Sequence, residues 1–137
     1  MITLEILEQV DELLDELREY AEDGTPILVE GSRDVKALRE LDVGGHIFKI
    51  SSKKTALNSL SDLADYKKVI IMTDFDMTGD ELAKFCAKHL QSLGPKPIID
   101  IRKKLKALLR KDVKDIEGLP KFLRGQRNVL RKTFCLS

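Results

Sequence analysis

The sequence predicts an α/β domain of three layers, with a four-stranded parallel sheet in the order 2-1-3-4 between two layers of helices. Three observations lead there. Short apolar runs alternate with helix-period patterns along residues 25–101, the alternation that builds a parallel sheet covered on both faces. Two of the runs stop at carboxylates, Glu30 in one case and Asp74 and Asp76 in the other. In an open parallel sheet, functional groups gather at the carboxyl ends of strands where strand order switches. Right-handed crossovers make an order with the first and third strands adjacent reachable. The 137 residues suit one domain, with no internal repeat and no long linker. Residues 1–137 are therefore expected as a single domain: a helix over about 3–23, a core over about 25–101, and a basic helical segment over about 102–137.

Each element has a local reason. Ile6, Val10, Leu13, Leu17 and Tyr20 recur at steps of three and four, widened by Leu7, Leu14 and Ala21, which is an amphipathic helix. Gly24, Thr25 and Pro26 end it. Ile27, Leu28 and Val29 form an apolar run without charge, read as a buried parallel strand. Residues 33–41 carry Val35, Leu38 and Leu41 on one side of a second helix, and residues 46–50 alternate as a second strand. Ser51 and Ser52 are expected to cap a helix reaching about Ala64. Residues 69–72 are the strongest strand. A helix is expected over about 80–93, closed by Gly94 and Pro95, with a fourth strand over 97–101. Beyond it the pattern is helical, with breaks expected near Gly118, Pro120 and Gly125.

Composition narrows the function classes. The chain is 42% hydrophobic and 34% charged, enough for a core under a solvated surface. No run reaches the ~18 apolar residues of a membrane span, and the acidic N-terminus does not read as a signal peptide. A cytoplasmic protein without membrane attachment is expected. Cys86 and Cys135 lack zinc spacing and read as unpaired thiols. The net charge of +1 hides a polarity: residues 1–23 carry net −8 and residues 101–137 net +9. That basic end can track nucleic-acid phosphates or dock on the acidic first helix, and both readings stand.

If strands one and three are neighbours, Glu30, Asp74 and Asp76 converge. Three crowded carboxylates repel unless a cation neutralises them. Magnesium, with manganese as a substitute, takes such oxygen ligands and completes its shell with water and substrate phosphate. Glu30 can then move a proton during phosphodiester chemistry. Gly31 and Gly79 are expected to admit close backbone approach to a phosphate, and Lys53 and Lys54 to lie on the same rim. Against this, Asp76 can serve as an Asx-turn and Asp80 as a helix cap. Arg33 and Asp34 can order the loop after Glu30, and His46 and His89 have no ligand partners in the sequence.

Val29, Glu30 and Gly31 after a buried strand, followed some forty residues later by the run from Ile71 to Asp80 with Asp74, Asp76 and Gly79, resemble the Toprim domain. That domain is shared by topoisomerases, bacterial-type primases, some nucleases and recombination proteins. The size is similar to that of small free-standing Toprim proteins of archaea and bacteria, and a ribosomal-RNA maturation nuclease has a related core. The resemblance implies Glu30 as general acid/base and metal ligand, with Asp74 and Asp76 as metal ligands. Phe75 stands where many members have proline, and Asp80 where many have glutamate. The implied function is a magnesium-dependent nuclease or RNA-processing enzyme acting on RNA or DNA. The alternative is a non-catalytic module that binds metal and nucleic acid or a partner. A phosphotransfer domain with Asp74 as acceptor is disfavoured, because the fourth strand runs into Asp100 and Ile101 rather than a lysine. Oligomeric state is left open.

Overall fold

A computed structural model of the chain describes residues 1–50, 53–109 and 111–134. The expected cap at Ser51 and Ser52, and Cys135, lie outside the described residues, as do the side chains of Lys53 and Lys54. The elements run in the order α1 (Leu4–Glu22), β1 (Ile27–Val29), α2 (Ser32–Glu40), β2 (Ile47–Lys49), α3 (Lys53–Ser61), β3 (Lys68–Ile71), α4 (Met77–Leu93), β4 (Lys96–Ile98), α5 (Asp100–Leu109) and α6 (Leu119–Phe134). The four strands form one parallel sheet in the order β2-β1-β3-β4, as the alternation of patterns predicts.

Burial explains the order. All of β1 and the Val69–Ile71 stretch of β3 are buried, whereas β2 is half-exposed and β4 has one buried residue. The uncharged runs therefore take the centre and the mixed ones the edges. Pro97 sits in β4 opposite Val69, at an edge where its missing N–H breaks no ladder.

The strand side chains alternate between two cores. Ile27, Val29, Ile70, Met72 and Ile98 join α1, α2, α5 and α6 on one face. Leu28, Val69 and Ile71 join α3 and α4 on the other. The first face is the larger because α1 lies across it, burying Leu7, Val10, Leu13, Leu14, Leu17 and Ala21. The Thr3 hydroxyl caps α1 by accepting the Ile6 N–H, and Gly24, with φ +89°, turns the chain out of it.

Three expectations are corrected. The helix expected from Asp80 begins at Met77, because Asp76 is its N-cap: the Asp76 carboxylate accepts the Gly79 N–H at 2.7 Å. The fourth strand stops at Ile98, and Asp100 opens α5 instead, which lets Ile101 and Leu105 turn into the core. Gly118 precedes α6, but Pro120 and Gly125 do not interrupt it. Pro120 lies in the first turn, where N–H groups have no helical partner to lose. Leu119, Leu123 and Leu130 bury one side of the helix across Gly125.

The acidic and basic ends meet. Arg127 on α6 grips Asp11 on α1 with two hydrogen bonds of 2.9 and 2.6 Å, and Gln126 accepts the Ile2 N–H. Part of the basic segment therefore docks on the first helix. Lys103, Lys104, Lys111, Lys121, Arg131 and Lys132 remain exposed, with no ion pair among the described residues. No helix among the described residues is long and apolar enough to cross a membrane.

Candidate functional site

The site forms where the β1–β3 ladder runs out. Ile70 N–H donates to Pro26 O at 2.9 Å and Met72 N–H to Leu28 O at 2.8 Å, two residues apart on each strand. The next donor in that series is Asp74 N–H. Its acceptor is the Glu30 side chain, whose Oε2 lies 2.7 Å away. A carboxylate thus continues the ladder past the last paired carbonyl and ties the two strand ends together across 44 residues of sequence.

Asp74 is held from three directions. Its Oδ1 accepts the Ile116 N–H at 2.9 Å, from the segment that leads into α6. Its carbonyl accepts Arg102 Nη2, while Arg102 Nε donates to Thr73 O at 3.0 Å. The Thr73 hydroxyl donates to Gly79 O at 2.7 Å, and Phe75 N–H to Lys114 O at 2.8 Å. Gly79 fits tightly against this turn: a Cβ there would stand 1.9 Å from Asp74 O. The glycine expected to admit a phosphate instead admits the backbone of the acidic loop. Gly31 has open space around it.

The electrostatics follow from this packing. Burial pushes the Glu30 carboxyl up to about 7; the Asp74 N–H opposes the shift, and the negative charge of Asp74 adds to it. Burial also raises Asp74, with the Ile116 N–H and Glu30 working against the shift. Asp34, 7% exposed, accepts the Gly31 N–H at 3.0 Å and so orders the loop after Glu30. Burial and then the Asp74 charge push Asp34 up to about 6. Arg33 points elsewhere, to Glu117 at 3.7 Å.

Of the three acids singled out from the sequence, Glu30 and Asp74 are in contact. Asp76 is exposed on the same rim, with Oδ1 committed to capping α4. Among the described residues, no three His, Cys, Asp or Glu side chains converge as a preformed metal cluster. The reason is local, since each carboxylate has an oxygen occupied by a backbone N–H. What is preformed is a pair of carboxyl groups in contact, with the Asp74 charge raising Glu30 and Glu30 in turn favouring the ionised Asp74, and a third carboxylate beside them. Such a set suits a hard cation that binds through one or two carboxylates and keeps water and phosphate as its other ligands. Among the described residues no thiolate or imidazole joins them: burial raises Cys86 to about 11, and His89 stacks on Phe85 at 4.3 Å between ring centroids.

Sequence reasoning missed Arg102 as part of this site. It is 7% exposed, holds Thr73 and Asp74 by their carbonyls, and pairs with Asp80 at 2.7 Å. Lys106 joins it on Asp80. Burial alone would raise Asp80, but the hydrogen bonds from Lys106 and Arg102 hold it below the usual carboxylate range. The available signal was the pair of cations at i and i+4, beside the apolar stripe of Ile101, Leu105 and Leu109.

Comparison with known proteins places the fold in a family. The family model described as Toprim domain matches residues 25–104. A UPF0292 protein of Methanosarcina barkeri is 38% identical over 130 residues, covering 94% of this chain and 89% of the relative. A UPF0292 protein of Pyrococcus abyssi is 43% identical over 107 residues, covering 78% of each. A solved structure of a protein from Aquifex aeolicus superposes with a TM-score of 0.63 at 25% identity, over 79% of this chain and 95% of that one.

Proposed function

This chain belongs to the Toprim family, alongside the archaeal UPF0292 proteins, and from that premise we propose that it is a magnesium-dependent enzyme cleaving phosphodiesters in RNA or DNA. Asp74 and Asp76 are the metal ligands in this reading, with Glu30 as ligand and general acid/base. The observation that carries it is the Glu30 carboxyl, raised to about 7 beside Asp74. A group with that affinity for its proton can both give and take one at neutral pH.

Bound magnesium, or manganese in its place, would supply charge neutralisation at the scissile phosphate. The chain's own groups do the rest. Glu30 takes a proton from the attacking water, whose oxygen forms the new P–O bond, and gives it to the leaving oxygen as the old P–O bond breaks. Asp74 stays fixed throughout by Ile116 N–H and Arg102.

The committed Oδ1 of Asp76 and the absence of a three-acid cluster among the described residues favour one competing reading, a non-catalytic module that binds metal and nucleic acid or a partner. Labelled RNA and DNA incubated with magnesium or manganese separate the two. The enzyme reading expects cleavage of one of them, and a loss of roughly 10²-fold or more in Glu30→Gln and Asp74→Asn. Binding that weakens without any wild-type cleavage would leave the module.

A further inference from the structure

A groove of about 510 Å³ separates α4 from α5. The two helices pack on opposite faces of the sheet, so the groove lies beyond the edge strand β4. Its upper end is Asp80, whose partner Arg102 also holds the Asp74 carbonyl. The groove therefore ends beside the loop that carries Asp74.

Its charge is one-sided. Among the described residues Asp80 is the only acid lining it, and Arg102 and Lys106 neutralise that charge. Lys84, Lys88 and Lys103 are left, all exposed and none in an ion pair among the described residues. Lys84 and Lys88 stand one helical turn apart, about 6 Å, a spacing near that of successive phosphates on a strand. Between the cations the floor is apolar, formed by Ala83, Ala87 and Ile99, the last 40% exposed. Lysines above an apolar floor suit a chain that carries phosphates on one side and sugar and base faces on the other. The volume is that of a small-molecule cleft; one strand can enter it, and a duplex, which also hides its base faces, cannot.

We propose that the groove between α4 and α5 binds the phosphate backbone of a single nucleic-acid strand and leads it to the Glu30–Asp74 rim. The proposal rests on the phosphodiester reading of that rim. Its test is run in EDTA, where the acidic site cannot contribute, so either reading can fail without the other. Fluorescence anisotropy of short labelled oligouridylate and oligothymidylate is followed against salt concentration. Wild type is compared with Lys84→Glu/Lys88→Glu/Lys103→Glu, and with Lys121→Glu/Arg131→Glu/Lys132→Glu on α6 as an equal change of charge elsewhere. Circular dichroism and sedimentation check fold and mass for each.

The groove variant is expected to lose at least ~10-fold in affinity, with its salt slope shallower by about 2, the value for three lost phosphate contacts on a single strand. The α6 variant is expected to stay within about 2-fold of wild type. The RNA and DNA arms show which strand is preferred. Wild type that binds neither strand, a groove variant that binds like wild type, or an α6 variant that loses as much would each overturn the proposal. So would a duplex outcompeting the single strand, or a groove variant whose only change is a lower mass in sedimentation, the mark of a second copy in the groove.

Discussion

Asp74 and Asp80 lie six residues apart on one turn, yet they carry opposite electrostatics. Asp80 meets two cations from α5 and its carboxyl is held low. Asp74 meets the same Arg102 only through its carbonyl, so the cation fixes its backbone without neutralising its side chain. Beside it, Glu30 has a backbone N–H for a partner and is pushed up to about 7. One loop can thus hold two acids in different electrostatic states. Asp80 is neutralised within the fold, whereas Asp74 is oriented by it without a cation on its carboxylate.

That contrast can be broken hardest at Arg102. Arg102→Ala removes donors to Thr73, Asp74 and Asp80 at once, leaving two carbonyls without their donor and Asp80 with Lys106 alone, so a loss of ~2–4 kcal/mol is expected by urea denaturation. Lys106→Ala, which leaves Arg102 in place, is expected to cost clearly less in the same measurement. Gly79→Ala strikes the other side of the turn. Its Cβ cannot coexist with Asp74 O, and the forced shift is expected to cost ~1–3 kcal/mol and to displace Asp74 from Glu30. Chemical-shift changes reaching Glu30 in that variant would confirm the displacement, and an unchanged Glu30 would refute it.

Smaller effects sharpen the comparison. Below 4.5 the native and unfolded chains both hold the Glu30 proton; between 4.5 and about 7 only the native chain does. Above that window the native chain must bear a buried charge, so this residue's contribution to stability falls as pH rises. Without metal, Glu30→Gln is therefore expected to melt above wild type on the alkaline side of the window, with the gap closing on the acid side. A gap that widens toward acid would reverse the assignment. The smallest effect belongs to Asp11 and Arg127, a pair of good geometry but 38% and 39% exposed. A double-mutant cycle there should return less than about 1 kcal/mol.

Much of the fold was legible because Ile27 to Val29 and Val69 to Ile71 are short uncharged runs alternating with helix-period segments, the pattern of buried parallel strands. Helix boundaries were less so, since Asp76 and Asp80 both precede apolar periodicity and either could cap. The backbone close to Gly79 decided for Asp76. The acids of the site were visible as strand ends, but their partners were not. Ile116 N–H, Lys114 O and Arg102 arrive from 28 or more residues away, and the local pattern around Asp74 contains no trace of them. Gly125 misled for a related reason: a single glycine costs a helix only about 1 kcal/mol, which Leu123 and Leu130 offset by burial.

We propose that Glu30 and Asp74 are poised for a cation that the fold itself does not supply. Calorimetric titration with magnesium and manganese, in two buffers of different ionisation heat at a pH just below the Glu30 value, tests it most directly. Saturable binding to wild type with proton release, binding to Glu30→Gln without that release, and no binding to Asp74→Ala/Asp76→Ala are expected. Heats that stay featureless even with an oligonucleotide in the cell, or a double variant that binds like wild type, would contradict it.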